Sequence, residues 1–223
     1  MLYWLTIWSD GGDFFNLFRY ITFRAGGAFL TALIFGFLFG KPLINVLRKK
    51  QGKGQPIRDD GPESHRAKTG TPTMGGLLIV GALVTSSLLW ARLDNAYIWM
   101  ILFVTLAFAL IGFADDYAKV SRQSSSGVPG RVRLLLGFII AGIAGFWASS
   151  YHPEMLQYQM AFPFLKDALW NMGLFFIPFA MFVIVGAANA VNLTDGLDGL
   201  AIMPVMIAGT ALEIIAYAVG RVD

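Results

Sequence analysis

Six long apolar stretches, at about 24–47, 73–90, 96–114, 133–151, 168–190 and 199–220, limit what this chain can fold into. Each approaches the roughly 20 residues that a helix needs to cross the hydrocarbon core of a bilayer. They are apolar on all sides and do not alternate, so they predict helices facing lipid or one another and not barrel strands. The rest of the composition agrees. With 56% hydrophobic and only 14% charged residues, a water-facing domain of 223 residues would lack the polar surface to cover itself. The same numbers exclude disorder. The expected fold is all-α, a polytopic membrane helix bundle of about six spans forming one integral-membrane domain over residues 1–223.

Charge placement orients such a bundle. The net charge of +3 is too small to point to nucleic acid as a partner. Its distribution is informative, because the loops 48–72, 115–132 and 191–198 hold Arg48, Lys49, Lys50, Lys53, Arg58, Arg66, Lys68, Lys119, Arg122 and Arg131. The amino-terminal tail, the turn 92–95 and the loop 152–167 carry mainly Arg19, Arg92 and Lys166. Basic loops stay cytoplasmic, so the amino terminus is expected outside and the three richer loops inside. Asp10 and Asp13 stand where a signal peptide would be basic, and the first span is expected to remain as an uncleaved anchor. The aromatic run from Trp4 to Tyr20 suits an interfacial segment or a partly ordered tail. Pro178 and Pro204 are expected to bend their spans. Glu213, late in the last span, lies close enough to the outer end to reach the interface. The chain has no cysteine, which removes disulfides, thiolate metal sites and cysteine nucleophiles; His65 and His152 are too far apart for a histidine-rich metal centre.

Three polar clusters fall on the inner side. Asp115 and Asp116 close the third span, where two adjacent carboxylates lose hydration and repel each other. At the carboxyl end of a helix the macrodipole disfavours them, so a cation should compensate: Lys119 one turn on, or a divalent ion such as magnesium holding a diphosphate. The second cluster is Asn192, Thr194, Asp195 and Asp198, with Gly196 and Gly199 between and after the acids. These residues either cap the sixth span or present acids and amides to a uracil edge and ribose hydroxyls. In the third, Lys68, Thr69, Thr71 and Thr73 precede the second span, an anion site by type and place. There His65 reads as a solvated or locally bonded side chain sooner than as a catalyst, and Gly75–Gly76 as a close helix contact.

Together the strings Arg-Asp-Asp-Gly-Pro-Glu-Ser-His (58–65) with Lys68 and Thr-Pro-Thr-Met-Gly-Gly (71–76), Gly-Phe-Ala-Asp-Asp-Tyr-Ala-Lys (112–119), and Asn-Ala-Val-Asn-Leu-Thr-Asp-Gly-Leu-Asp-Gly-Leu-Ala (189–201) resemble a known family. It is the polyprenyl-phosphate hexosamine-1-phosphate transferases, in their phospho-N-acetylmuramoyl-pentapeptide transferase branch. The resemblance covers nearly the whole chain. It implies a magnesium-dependent enzyme of the bacterial inner membrane. Such an enzyme transfers phospho-MurNAc-pentapeptide from UDP-MurNAc-pentapeptide to undecaprenyl phosphate, giving lipid I and UMP, the first membrane step of peptidoglycan synthesis. A homodimer is a further candidate assembly. By position, Asp115 and Asp116 match the catalytic, metal-side aspartate pair. Lys68, Thr73, Lys119, Asn192, Asp195 and Asp198 match or adjoin the substrate-binding positions. Family members carry about ten spans, with a further aspartate and a histidine-rich loop in the later part; this chain reads as the amino-terminal part. The segment Arg122-Gln-Ser-Ser-Ser126 holds fewer cations than relatives often do. The alternatives are a sibling transferase using another UDP-N-acetylhexosamine, or a non-catalytic membrane fragment.

Overall fold

The computed structural model describes residues 1–52, 54, 71–124, 126–151, 154, 157–161, 169–195 and 200–219. Among the described residues the fold is all-α apart from one small antiparallel strand pair. The helices there are α1 (Ile21–Gln51), α2 (Gly76–Trp90), α3 (Ala96–Arg122), α4 (Gly130–Tyr151), α5 (Phe176–Thr194) and α6 (Ile202–Val219). Among the described residues four helices are long and apolar enough to cross a membrane, those carrying Ile21–Gln51, Ala96–Arg122, Gly130–Tyr151 and Gly173–Thr194; α2 and α6 are apolar but shorter. Large side chains such as Phe37, Leu110 and Phe182 are exposed along their flanks, as hydrocarbon-facing surface would be.

Two compact units are distinguished, Met1–Ile140 and Ala141–Asp223. In the first, α1 and α2 pack along their lengths because small residues let them approach. Gly81 lies so close to the Phe35 ring that an added Cβ would sit 3.1 Å from it. The amino-terminal segment is ordered as two short 3-10 turns, Leu2–Trp8 and Phe14–Arg19, and not as a loose tail. Phe18 is buried and stacks on Trp90 with ring centroids 5.9 Å apart, while the Trp90 indole N–H donates to Thr31 Oγ1 at 2.9 Å. Arg24 and Arg92 each place a guanidinium 5.0 Å from the centroid of the Tyr3 ring. Between α2 and α3 the chain turns through Arg92 and Asp94, whose side chains pair at 2.7 Å. That hydrogen bond holds the Asp94 carboxyl below the usual carboxylate range. Asn95 caps α3 by accepting from the Tyr97 N–H.

In the second unit the later half of α4 packs on α5, with Gly145 against Ala180 and Gly142 against Met181. Ala141, Ala144 and Val185 are buried there. Gln159–Ala161 (β1) and Leu169–Asn171 (β2) form an antiparallel pair with Met160 opposite Trp170. The hydropathy reading had begun the fifth span at about 168, but α5 begins only at Phe176, because Leu169–Asn171 hydrogen-bonds across the hairpin.

Pro178 and Pro204 are each the third residue of their α-helix. Pro42 is the one inside α1, and it leaves the Leu38 carbonyl without its usual donor.

Candidate functional site

Residues from three helices and two connecting segments of the first unit meet around the acid pair. Helix α3 does not stop at the apolar boundary near Ala114. It continues to Arg122 and closes with Gln123 in the left-handed region (φ 47, ψ 44). Asp115 and Asp116 therefore lie two turns inside the helix. The macrodipole penalty expected from a terminal position is correspondingly small, since that effect fades beyond the last turn. The compensation is local and cationic. Lys119 Nζ lies 2.7 Å from Asp115 Oδ2 and 3.8 Å from Asp116 Oδ1, bridging the two carboxylates. Arg133, in the first turn of α4, adds a contact at 3.5 Å to Asp115 Oδ2. Sequence reading had treated Arg133 only as the edge of a span, because nothing in the linear order brings it back to α3.

The two acids occupy unlike surroundings. Asp115 is only 6% exposed. Besides Lys119 and Arg133, its Oδ1 accepts the Val128 N–H at 2.8 Å from the segment returning toward α4. Gly127 lies directly over this carboxylate: an added Cβ would collide with Asp115 Oδ1 and sit 3.0 Å from Lys119 Cε. The glycine is needed for close approach. Gly127→Ala is expected to push the segment off Asp115, lose the Val128 bond and lower stability by about 2 kcal/mol, read as a fall in melting temperature in detergent.

Asp116 is more open, its side chain 30% exposed. Its Oδ2 accepts the Thr73 hydroxyl at 2.9 Å. Thr73 is itself gripped by Gln51 at the end of α1: its N–H donates to Gln51 Oε1 at 2.9 Å, and its C=O accepts from Gln51 Nε2 at 3.1 Å. Thr73 therefore gives its hydroxyl to a carboxylate here. Gln123 Nε2 donates to the Gly54 carbonyl at 3.5 Å, tying Gly54, just past the end of α1, to α3.

The remaining candidates divide. Lys68, His65 and Asp198 lie outside the described residues. Asn192 and Asp195 belong to the second unit, both exposed, Asn192 in the last turn of α5 and Asp195 at its carboxyl cap, where the Asp195 N–H donates to the Val191 carbonyl at 3.2 Å. Since α6 starts at Ile202, Asp195 follows α5 and does not cap α6.

Among the described residues no three His, Asp or Glu side chains form a metal cluster. The donor set still fits one class of ion. Magnesium commonly takes one or two carboxylates and fills its remaining positions with water and substrate phosphate oxygens. Among the described residues Asp116 Oδ1 faces only the distant Lys119 ammonium, whereas the Asp115 oxygens are bound to Lys119, Arg133 and Val128. Asp116 is the better-placed ligand of the two.

Comparison with known proteins gives this site a family. The profile of glycosyl transferase family 4 matches residues 98–223, more than half of the chain, and includes both acids. The chain belongs to glycosyl transferase family 4. A signature of phospho-N-acetylmuramoyl-pentapeptide-transferases matches residues 68–80, the stretch holding Lys68 and Thr73. Over its whole length the chain is 76% and 75% identical to proteins named phospho-N-acetylmuramoyl-pentapeptide-transferase from Ruegeria sp. (strain TM1040) and Ruegeria pomeroyi. It is 70% identical to one of the same name from Dinoroseobacter shibae. The chain spans 62% of the length of each of these relatives. Its apolar helices and these family relationships mark it as an integral membrane protein.

Proposed function

We propose that this chain carries part of the active site of a phospho-N-acetylmuramoyl-pentapeptide transferase. The observation that carries the reading is the identity of 70–76% along the entire chain to three proteins of that name. The donor is UDP-MurNAc-pentapeptide and the acceptor undecaprenyl phosphate. An acceptor phosphate oxygen bonds to the sugar-linked phosphorus, the anhydride bond breaks, and UMP leaves. The products are lipid I and UMP. The amino terminus lies on the periplasmic side of the inner membrane and the acid pair on the cytoplasmic side, in keeping with the basic loops.

Bound magnesium would shield the diphosphate and take up charge on the leaving oxygen. The chain's own groups do the rest. Asp116 supplies a carboxylate held in one orientation by Thr73. Lys119 places a cation between the acids, where it neutralises them and faces incoming phosphates. Asp115 anchors Lys119 and the backbone at Val128, so that the cation is held in place before substrate arrives. From their motifs in the sequence, Lys68, Asn192, Asp195 and Asp198 are the candidates for donor binding.

The test is UMP release from UDP-MurNAc-pentapeptide and undecaprenyl phosphate with magnesium in nanodiscs, using this chain beside a chain of the relatives' full length. Release by the longer chain with this donor supports the reading. Release only with another UDP-N-acetylhexosamine would replace it with a sibling transferase, and no release with any donor would end it.

A further inference from the structure

Gln51 is the last residue of α1, in a run of basic residues that reads as an ordinary helix end. Its carboxamide makes both hydrogen bonds that an antiparallel strand would make to Thr73: it accepts from the N–H and donates to the C=O. Only a primary amide of this length offers donor and acceptor side by side. The gripped residue is the one whose hydroxyl donates to Asp116 Oδ2. A threonine hydroxyl has no fixed direction of its own, and Thr73 lies in the non-helical stretch 71–74 just before the helix that begins at Gly76. The next residue, Met74, adopts a positive φ of 71, so the local backbone has no regular structure of its own to hold Thr73.

We infer that Gln51 is a positioning residue: by clamping the Thr73 peptide it aims the Thr73 hydroxyl at Asp116, and so fixes which carboxylate oxygen Asp116 presents. The inference rests on the transferase reading for its consequence and on the Gln51–Thr73–Asp116 chain for its geometry. Gln51 touches no reacting atom. Its loss loosens Asp116 without removing it, and the effect falls on the chemical step more than on donor binding.

In a chain of the relatives' full length, Gln51→Ala is expected to lower kcat for UMP release about tenfold and to change the donor KM less than about twofold. Gln51→Glu keeps the acceptor for the Thr73 N–H and loses the donor, so it falls between. Thr73→Val breaks the same chain one step later, and the Gln51→Ala/Thr73→Val double variant is expected to be no slower than Thr73→Val alone. Hydrogen exchange over residues 71–76 gives a readout independent of turnover: protection of the Thr73 amide falls in Gln51→Ala and persists in Asp116→Ala, with α1 and α2 protected in both. Wild-type exchange in Gln51→Ala, an unchanged kcat, or multiplying losses in the double variant would overturn the inference. Absence of UMP release from the unsubstituted enzyme would instead strike the transferase reading, leaving the exchange result to judge the clamp.

Discussion

Asp116→Ala in a chain of the relatives' full length lowers UMP release by about 10³-fold, the scale on which removing one preorganised charge-stabilising group acts. The protein remains folded, because Asp116 is partly open, Lys119 keeps its closer pairing with Asp115, and water can satisfy the released Thr73 hydroxyl. Turnover at a given substrate level also requires more magnesium in the milder variant Asp116→Asn, since an amide oxygen is a weaker ligand than a carboxylate for a hard cation. The measurement is initial rate against magnesium concentration, paired with thermal unfolding. Normal turnover by Asp116→Ala would remove this acid from the chemistry.

The second large effect is on stability and comes from the cation. Lys119→Met leaves Asp115 buried with Arg133 at 3.5 Å as its remaining charged partner among the described residues. Removing one member of a buried pair typically costs about 3–5 kcal/mol, because the other charge stays desolvated. The melting temperature in detergent is expected to fall by about 10 °C. Adding Asp115→Asn to Lys119→Met recovers much of that loss, since the stranded charge is gone. A double variant less stable than Lys119→Met would show that Asp115 is held by something other than this pair. The contrast separates two neighbouring residues that sequence alone treats alike. Asp115 substitutions report on folding first, so lost turnover there does not by itself identify a chemical role.

Much of this was legible in the residues. Long apolar runs gave the helices, and the spacing of Asp115 and Lys119 gave their pairing. Hydropathy misplaced the end of α3, because the polar stretch from Asp115 to Arg122 looks like loop. It stays helical because Lys119 neutralises the acids and Gln123 closes the helix. The hairpin before α5 was hidden for the opposite reason: Leu169 and Trp170 read as membrane span. Gln51, Gly127, Val128 and Arg133 carried no signal in linear order. Each acts through a tertiary approach to Thr73 or Asp115, and Gln51 in particular is indistinguishable in sequence from any polar helix terminus. Asn192 and Asp195 were named from type and motif alone, and belong to the other unit.

The uninterrupted run of α3 sets a height. At about 1.5 Å of rise per residue, Asp116 stands roughly 30 Å along the axis from Ala96, close to the thickness of the hydrocarbon layer. A helix that enters the lipid at Ala96 lifts this carboxylate to the level where phosphate headgroups begin. A chain-anchored phosphate could meet it there without being pulled out of its leaflet, and a dissolved nucleotide could arrive without entering oil.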